Sequence, residues 1–401
     1  MRLIDEIKGL TESFYDEMVA IRRHMHAYPE LSGEEKETSE YICKQLDKIG
    51  IPYRRNVAGY GIVALLQGGR TGEGSCIALR ADLDALPVQE RNECEYRSQN
   101  NGVMHACGHD FHCAALLGTL MILKQLQDHF SGTVKAIFQP SEERCEGGAP
   151  FMIEEGVLEN PKVDKIFALH AEAGLEVGNV GFCAGNYMAS NDELFFTVHG
   201  KGGHAALLSE ICNPVFIAAQ IIIELQKAVT QCFQDVTPET VESLHILNFG
   251  KFIANGATNV IPEKVEIEGT LRTFNEMKRK EIHQVLTSVS QEIAEKMGGV
   301  CQLHINHGYP VLKNDAAATQ FAQKIAEALF GKENVKQLPP KMTSEDFSFF
   351  LQKVPGTFFR VGVANPEKGI THQTHHNCFD IDENALKSAS ALFASLCIEK
   401  L

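Results

Sequence analysis

The sequence predicts an interrupted α/β domain with a largely parallel sheet and, inserted into it, a ferredoxin-like α+β domain. Three observations predict this. Short apolar, β-branched runs alternate with helical patterns at both ends of the chain, as an α/β layer requires. The middle reads β-α-β-β-α-β, the order of a ferredoxin-like unit. The length, 401 residues, suits two or three domains at roughly 100–200 residues each.

In chain order, Leu3, Ile7, Leu10, Phe14, Met18 and Ile21 recur at helical spacing, so the N-terminus is an amphipathic helix. The runs 62–66, 76–79, 134–138, 166–169 and 358–363 are mostly apolar and β-branched, and read as buried strands. Residues 110–126, 316–329 and 385–398 carry helical patterns, the second with Asp315 as its N-cap. In the middle, 193–199 is a strand and 214–229 a helix started by Asn213 and Pro214. Residues 245–253 and 264–273 are strands on either side of a turn-rich segment, 255–262. A long helix over 276–297 ends at Gly298-Gly299, and 300–306 is the last strand. The expected division is 1–184 with 309–401 for the outer domain and 185–308 for the insert.

Composition narrows the function. The chain is 44% hydrophobic and 22% charged, an ordinary globular balance. Its 37 basic against 52 acidic residues give −15, with no basic stripe, which argues against nucleic acid. The N-terminus lacks an apolar core of the secretory type, and the richest apolar run, 215–223, is broken by Gln220. No membrane span is expected from so short a run. The 12 cysteines form no CxxC pair, so they read as reduced thiols of a cytoplasmic protein.

The chemistry clusters at strand ends, where open α/β sheets bind ligands. Strand 76–79 runs into Arg80-Ala81-Asp82-Leu83-Asp84; strand 134–138 into Gln139-Pro140-Ser141-Glu142-Glu143; strand 166–169 into His170. His105 to His112 precede a helix, and His372 to Asn377 lie near the C-terminus. In extended backbone, neighbouring Glu142 and Glu143 point apart, one toward a metal and one toward substrate. Asp82 and Asp84, two apart, face one side. Cys107 and His109 converge if Gly108 makes a turn before the helix. A thiolate beside an imidazole favours zinc, cobalt, nickel or a similar ion over magnesium; the rival is a Cys–His nucleophile pair.

Together, HACGHDFH (105–112), RADLDALP (80–87), FQPSEE (138–143), ALH (168–170), GKGGHAA (200–206), NVIP (259–262), GTLRTF (269–274), TSEDF (343–347) and HHNCFD (375–380) resemble the M20 metallopeptidase superfamily. The similarity is to its amidohydrolase branch, whose N-terminal signature RRHMHAYPELSGEE (22–35) also resembles. The resemblance implies a zinc-peptidase-like catalytic domain holding two divalent ions (Zn, Mn, Co or Ni) and a lid that mediates a homodimer. It implies Cys107, His109, Glu143, His170 and His375 as ligands, Glu142 as general base and Asp84 as the aspartate that orients the metal site. Asp82 stands where other branches have a metal-binding histidine, a role that passes to His109 or Cys107. His204, Asn259 and Arg272 match lid residues that contact substrate, Arg272 suiting a carboxylate. His105, His112 and His376 flank the ligands. The sequence departs from the pattern at Leu208, Ser209 and Asn213 near the lid, and at Asn377 where the family usually has proline.

The implied reaction is hydrolysis of the amide bond of an N-acyl amino acid by metal-activated water. Carboxypeptidase or dipeptidase action on free peptides shares the same metal chemistry, and a silent relative serving as a binding protein is the non-enzymatic alternative.

Overall fold

The computed structural model describes residues 2–72 and 74–398; Met1, Glu73 and residues 399–401, which fall within the outer domain expected from sequence, lie outside the described residues. The chain divides into two compact units. One comprises Met1–Gly185, Lys313–Pro339 and Asp346–Leu401; the other comprises Asn186–Leu312 and Pro340–Glu345.

The first unit is built on an eight-stranded mixed sheet. Its order is Tyr53–Val57, Gly61–Gln67, Thr133–Gln139, Cys76–Asp82, Lys165–Glu176, Gly356–Ala364, Val180–Phe182, Val335–Gln337. The four central strands, from Thr133–Gln139 to Gly356–Ala364, are mutually parallel. Every residue of Cys76–Asp82 and of Gly356–Ala364 is buried, which is why their sequences are largely apolar. Register then decides what meets at the rim. Asp82 lies opposite Gln139, Arg80 opposite Ala168 and His170 opposite Arg360, so the polar ends of these strands come together.

The helix His109–Gln125 is buried from His109 to Leu123. It starts at Gly108, whose φ of 89° is left-handed, and a Cβ there would stand 3.0 Å from that of Ala171. Glycine is what lets Cys107 and His109 approach the strand ends.

At the N-terminus the single expected helix is two, Arg2–Ser13 and Tyr15–Ala27. Phe14 interrupts the run with ψ near 2°, yet its N–H still donates to Leu10 O and its carbonyl still accepts from Met18 N–H. The apolar stripe through Ile7, Met18 and Ile21 therefore continues into the core across the break. Arg22, fully buried, fastens this segment: its Nε donates to Asp110 Oδ2 at 2.8 Å and its Nη2 to Asp380 Oδ1 at 2.7 Å. His26 lies between Asp110 (2.8 Å) and Glu90 (3.2 Å). Helix Lys36–Ile49, closed by Gly50 at φ 74°, was not expected from the pattern; its buried apolar positions Ile42, Cys43 and Leu46 are outnumbered by polar neighbours.

The second unit carries a four-stranded antiparallel sheet in the order His245–Ile253, Lys264–Thr273, Asp192–His199, Val300–His307. With helices Pro214–Gln231 and Glu276–Lys296 it is the ferredoxin-like arrangement. Asn213 and Asn275 cap these helices, accepting from Val215 N–H and from Met277 and Lys278 N–H. The core joins Leu194, Phe196 and Val198 to Ile217, Ile221, Ile282 and Leu286.

Asp192, wholly buried, is gripped by Arg279 through Nε (2.8 Å) and Nη2 (2.7 Å) and by His283 Nε2 (2.7 Å). Burial alone raises its pKa, but the hydrogen bonds from Arg279 and His283 prevail and bring it to about 2. A depressed carboxyl pKa stabilises the fold above the unfolded value, and that contribution is lost as pH falls through the folded value. We expect this pairing to supply on the order of 2 kcal/mol above about pH 4 and to lose it toward pH 2. Acid unfolding of D192N should lack that increment; parallel curves for wild type and variant would contradict it.

Candidate metal centre

The site is assembled in the first unit from five chain segments. Cys107 precedes the buried helix and His109 opens it. Glu142 and Glu143 lie in a turn after Pro140, not in extended backbone as the sequence suggested, and Ser141 before them takes φ 58°. The turn is pinned from outside: Glu35 Oε1 accepts Ser141 N–H at 2.8 Å, and Asp84 Oδ2 accepts Glu143 N–H at 2.9 Å. His170 lies within the buried stretch 166–173 of its strand, and His375 takes φ 67° while its N–H donates to Ala106 O at 2.7 Å.

Two donor triads share one sulfur. Cys107, His109 and His170 present ligand atoms within 4.8 Å of one another, and so do Cys107, Glu143 and His375. His170 Nε2 stands 3.3 Å from Cys107 Sγ, while its Nδ1–H donates to Ala171 O at 2.7 Å. His109 Nδ1–H donates to Asp84 O at 2.8 Å, with Asp84 Oδ1 at 3.3 Å. Each ring is thereby fixed in the tautomer that leaves Nε2 free to ligate. Around His109 Nε2 stand Asp82 Oδ2 at 3.7 Å, Glu142 Oε2 at 3.9 Å and Glu143 Oε1 at 4.0 Å. His375 Nε2 lies 3.4 Å from Glu143 Oε1.

Charge in this cavity is unbalanced. Burial disfavours a charged His109, yet Asp82, Asp84 and Cys107 lift its pKa well above the ordinary value. Hydrogen bonds to Cys107 and Glu143 raise His375 to about 10. Burial, then Glu143, pushes the Cys107 thiol up, whereas burial and Arg360 push His170 well down. Acidic groups outnumber cations, so the rings nearest them draw protons. A divalent cation answers the same need. His109 Nε2 is buried with no hydrogen-bond partner, which is unusual for a polar atom unless a ligand takes it. The set of thiolate, imidazoles and carboxylate fits Zn, Co, Ni or Mn.

The other expected residues divide. Asp84 accepts from Ser32 Oγ at 2.6 Å as well as from Glu143, so it orders both His109 and the acidic turn. Asp82 does not stand free as a ligand: Arg80 Nη1 donates to it at 2.5 Å and His112 Nδ1 at 2.5 Å. His112 Nε2 in turn accepts Ala171 N–H at 2.9 Å. His105 is buried with both ring nitrogens unpartnered, and burial lowers its pKa to about 4.

His204, Asn259 and Arg272 belong to the second unit. His204 pairs with Val260 across a two-residue ladder, Ala205 N–H donates to Asn259 O at 3.1 Å, and both His204 and Asn259 are exposed. Arg272 is half-buried; its Nη1 donates to Met342 O (3.1 Å) and Ser344 Oγ (3.2 Å). Among the described residues no carboxylate forms an ion pair with it, and burial lowers its pKa.

Sequence reasoning missed the support beneath the site. Buried Arg80 also donates through Nε to Gln139 Oε1 and through Nη2 to Asp346 Oδ1, both at 2.8 Å. Asp346 Oδ2 accepts from Gln139 Nε2 (2.7 Å), Gly148 N (3.0 Å) and Ala149 N (3.1 Å). The motifs RADLDALP and TSEDF contain both ends of this link, but nothing local couples them.

Residues 78–399 match the model of peptidase family M20/M25/M40, and the chain belongs to that family. It is 39% identical over 374 residues to the N-acetyl-L-cysteine deacetylase of Bacillus subtilis (strain 168), covering 93% of this chain and 86% of that one. It is 34% identical over 402 residues to thermostable carboxypeptidase 1 of Saccharolobus solfataricus, covering 100% and 99%. A solved Bacillus subtilis structure described as a dinuclear metal binding peptidase of the M20 family aligns with a TM-score of 0.81 at 32% identity, covering 97% of this chain and 98% of that one. The chain is thus a hydrolase acting on amide bonds.

Asp346→Ala removes the acceptor facing a buried guanidinium and two loop amides. Breaking one partner of a buried pair costs about 3–5 kcal/mol. The midpoint of denaturant unfolding should fall accordingly, and D346N should recover part of the loss; an unchanged midpoint for D346A would show that the link is not structural.

Proposed function

We propose that the chain is a metal-dependent amidohydrolase that removes the acyl group from N-acyl amino acids. The observation that carries this reading is the sharing of Cys107 by two donor triads, with the Glu142 carboxylate beside them. Cys107, His109, Glu143, His170 and His375 would hold two divalent ions, Cys107 belonging to both donor triads. Bound divalent metal supplies Lewis acidity toward the carbonyl and lowers the pKa of water toward neutrality.

The remaining work falls to the protein. Glu142, 7% exposed, takes a proton from the attacking water and returns it to the leaving nitrogen. Asp84 keeps His109 in its ligating tautomer and holds Glu143 in place through the amide N–H. His204 donates to the developing oxyanion. Arg272, cationic, half-buried and without an ion-pair partner among the described residues, pairs with the substrate carboxylate, and Asn259 borders the same substrate.

We read residues 1–184 and 309–401 as the catalytic domain and 185–308 as a lid through which two chains dimerise. Among the described residues no helix is long and apolar enough to cross a membrane, and the twelve cysteines are unpaired, which supports a cytoplasmic setting. The likeness to a carboxypeptidase over the full chain supports a second reading, cleavage of free peptides by the same centre.

The deciding experiment screens N-acyl amino acids against unblocked dipeptides, reading amine release on chelated and metal-reconstituted protein. We expect activity on the acylated set, abolished by chelation and restored by metal. E142Q should keep its metal and lose at least about a hundredfold in kcat; full activity in E142Q removes the base, and activity that survives chelation removes the metal mechanism. Arg272→Ala should chiefly raise KM for substrates that bear a carboxylate and spare their amides. Equal KM in both forms would take Arg272 out of the pocket.

A further inference from the structure

We propose that His372, His376 and Cys378 form an additional metal-binding site, separate from the Cys107 cluster, for a borderline-soft divalent ion such as Zn2+ or Co2+. The backbone prepares it. His375 adopts φ 67° with its N–H on Ala106 O, His376 N–H donates to Gln373 O at 3.2 Å, and Phe379 N–H to His376 O at 2.9 Å. This tight reversal stacks the His372 and His376 rings 4.2 Å apart and within 3° of parallel. Cys378 follows Asn377, two residues beyond His376. Its sulfur and a nitrogen from each ring lie within 4.8 Å of one another.

The donors differ in kind from an acidic surface cluster. Two imidazoles and a thiol offer no hard oxygen, so the site discriminates against Mg2+ and Ca2+. Three protein ligands with a side open to water is a coordination that zinc commonly accepts. Both histidines are exposed and Cys378 is half-buried, so entry needs no opening of the core. Binding has a local cost. His376 Nδ1 accepts Cys378 N–H at 3.0 Å, and Cys378 Sγ–H points to Asn377 Oδ1 at 3.5 Å. Coordination through Nδ1 gives up the first bond, and thiolate formation gives up the second. With three ligands against the larger central donor set, this site fills after the Cys107 cluster.

The test titrates the metal-free chain with Co2+, following thiolate-to-metal absorption, and counts Zn2+ per chain after dialysis over a range of free metal. We expect a tight phase that C107S removes and a weaker phase that survives in C107S, vanishes in C378S and weakens about tenfold or more in H372A. The exposed His372 substitution keeps the test valid should C378S fold poorly. A wild-type titration with no second phase overturns the proposal, as does a second phase that is unchanged in both C378S and H372A. The readout is metal content, so it stands or falls independently of the reaction proposed above.

Discussion

The first unit depends on one buried cation. The Arg80 guanidinium has no solvent to fall back on, and its partners come from three places: Asp82 two residues along its own strand, Gln139 on the neighbouring strand and Asp346 from 266 residues downstream. Asp82 carries the link on to His112 and the Ala171 amide, beside the ligand-position His170. Asp346 carries it to the amides of Gly148 and Ala149, closing the segment that holds Glu142 and Glu143. The closure is tight: a Cβ on Gly148 would sit 1.8 Å from Pro140 O, and one on Gly147 2.6 Å from Asp346 Oδ2. A buried ion set of this kind adds little net stability over apolar packing, but it tolerates no missing member. Its effect is positional, holding strand ends and the acidic turn in one arrangement.

Above that floor the electrostatics run the other way. Arg80 answers the charge of Asp82 and Asp346, whereas Glu143, Asp84 and Cys107 gather around the rings of His109 and His375. The raised pKa values of His109 and His375 are the protein's response to those groups. Asp192 in the second unit is the contrast: Arg279 and His283 satisfy it completely, and its acidity is depressed.

Much of this was legible from the chain alone. Largely apolar runs marked the central strands because both sheet faces are covered, and Asn213 and Asp315 marked helix starts by a mechanism that acts within three residues. The ligand candidates were visible as residue types at strand ends. The break at Phe14 was not, since the hydrophobic spacing continues through it. Nor was the turn at Glu142, whose pins are distant in the chain: Glu35 lies 106 residues before Ser141 and Asp84 59 residues before Glu143.

Sequence by itself determined most of the elements and which residue types stand at the strand ends, because periodicity, capping and the βα connection are local rules. Only the tertiary structure decided which donors are free. Asp82 and Asp84 differ by two positions and are the same residue type. Yet Asp82 is consumed by Arg80 and His112, whereas Asp84 is left to orient His109. Likewise the carbonyls of Asp84 and Ala171 set which nitrogen of His109 and His170 keeps its lone pair. The availability of a lone pair depends on contacts across the fold, and no spacing along the chain encodes it.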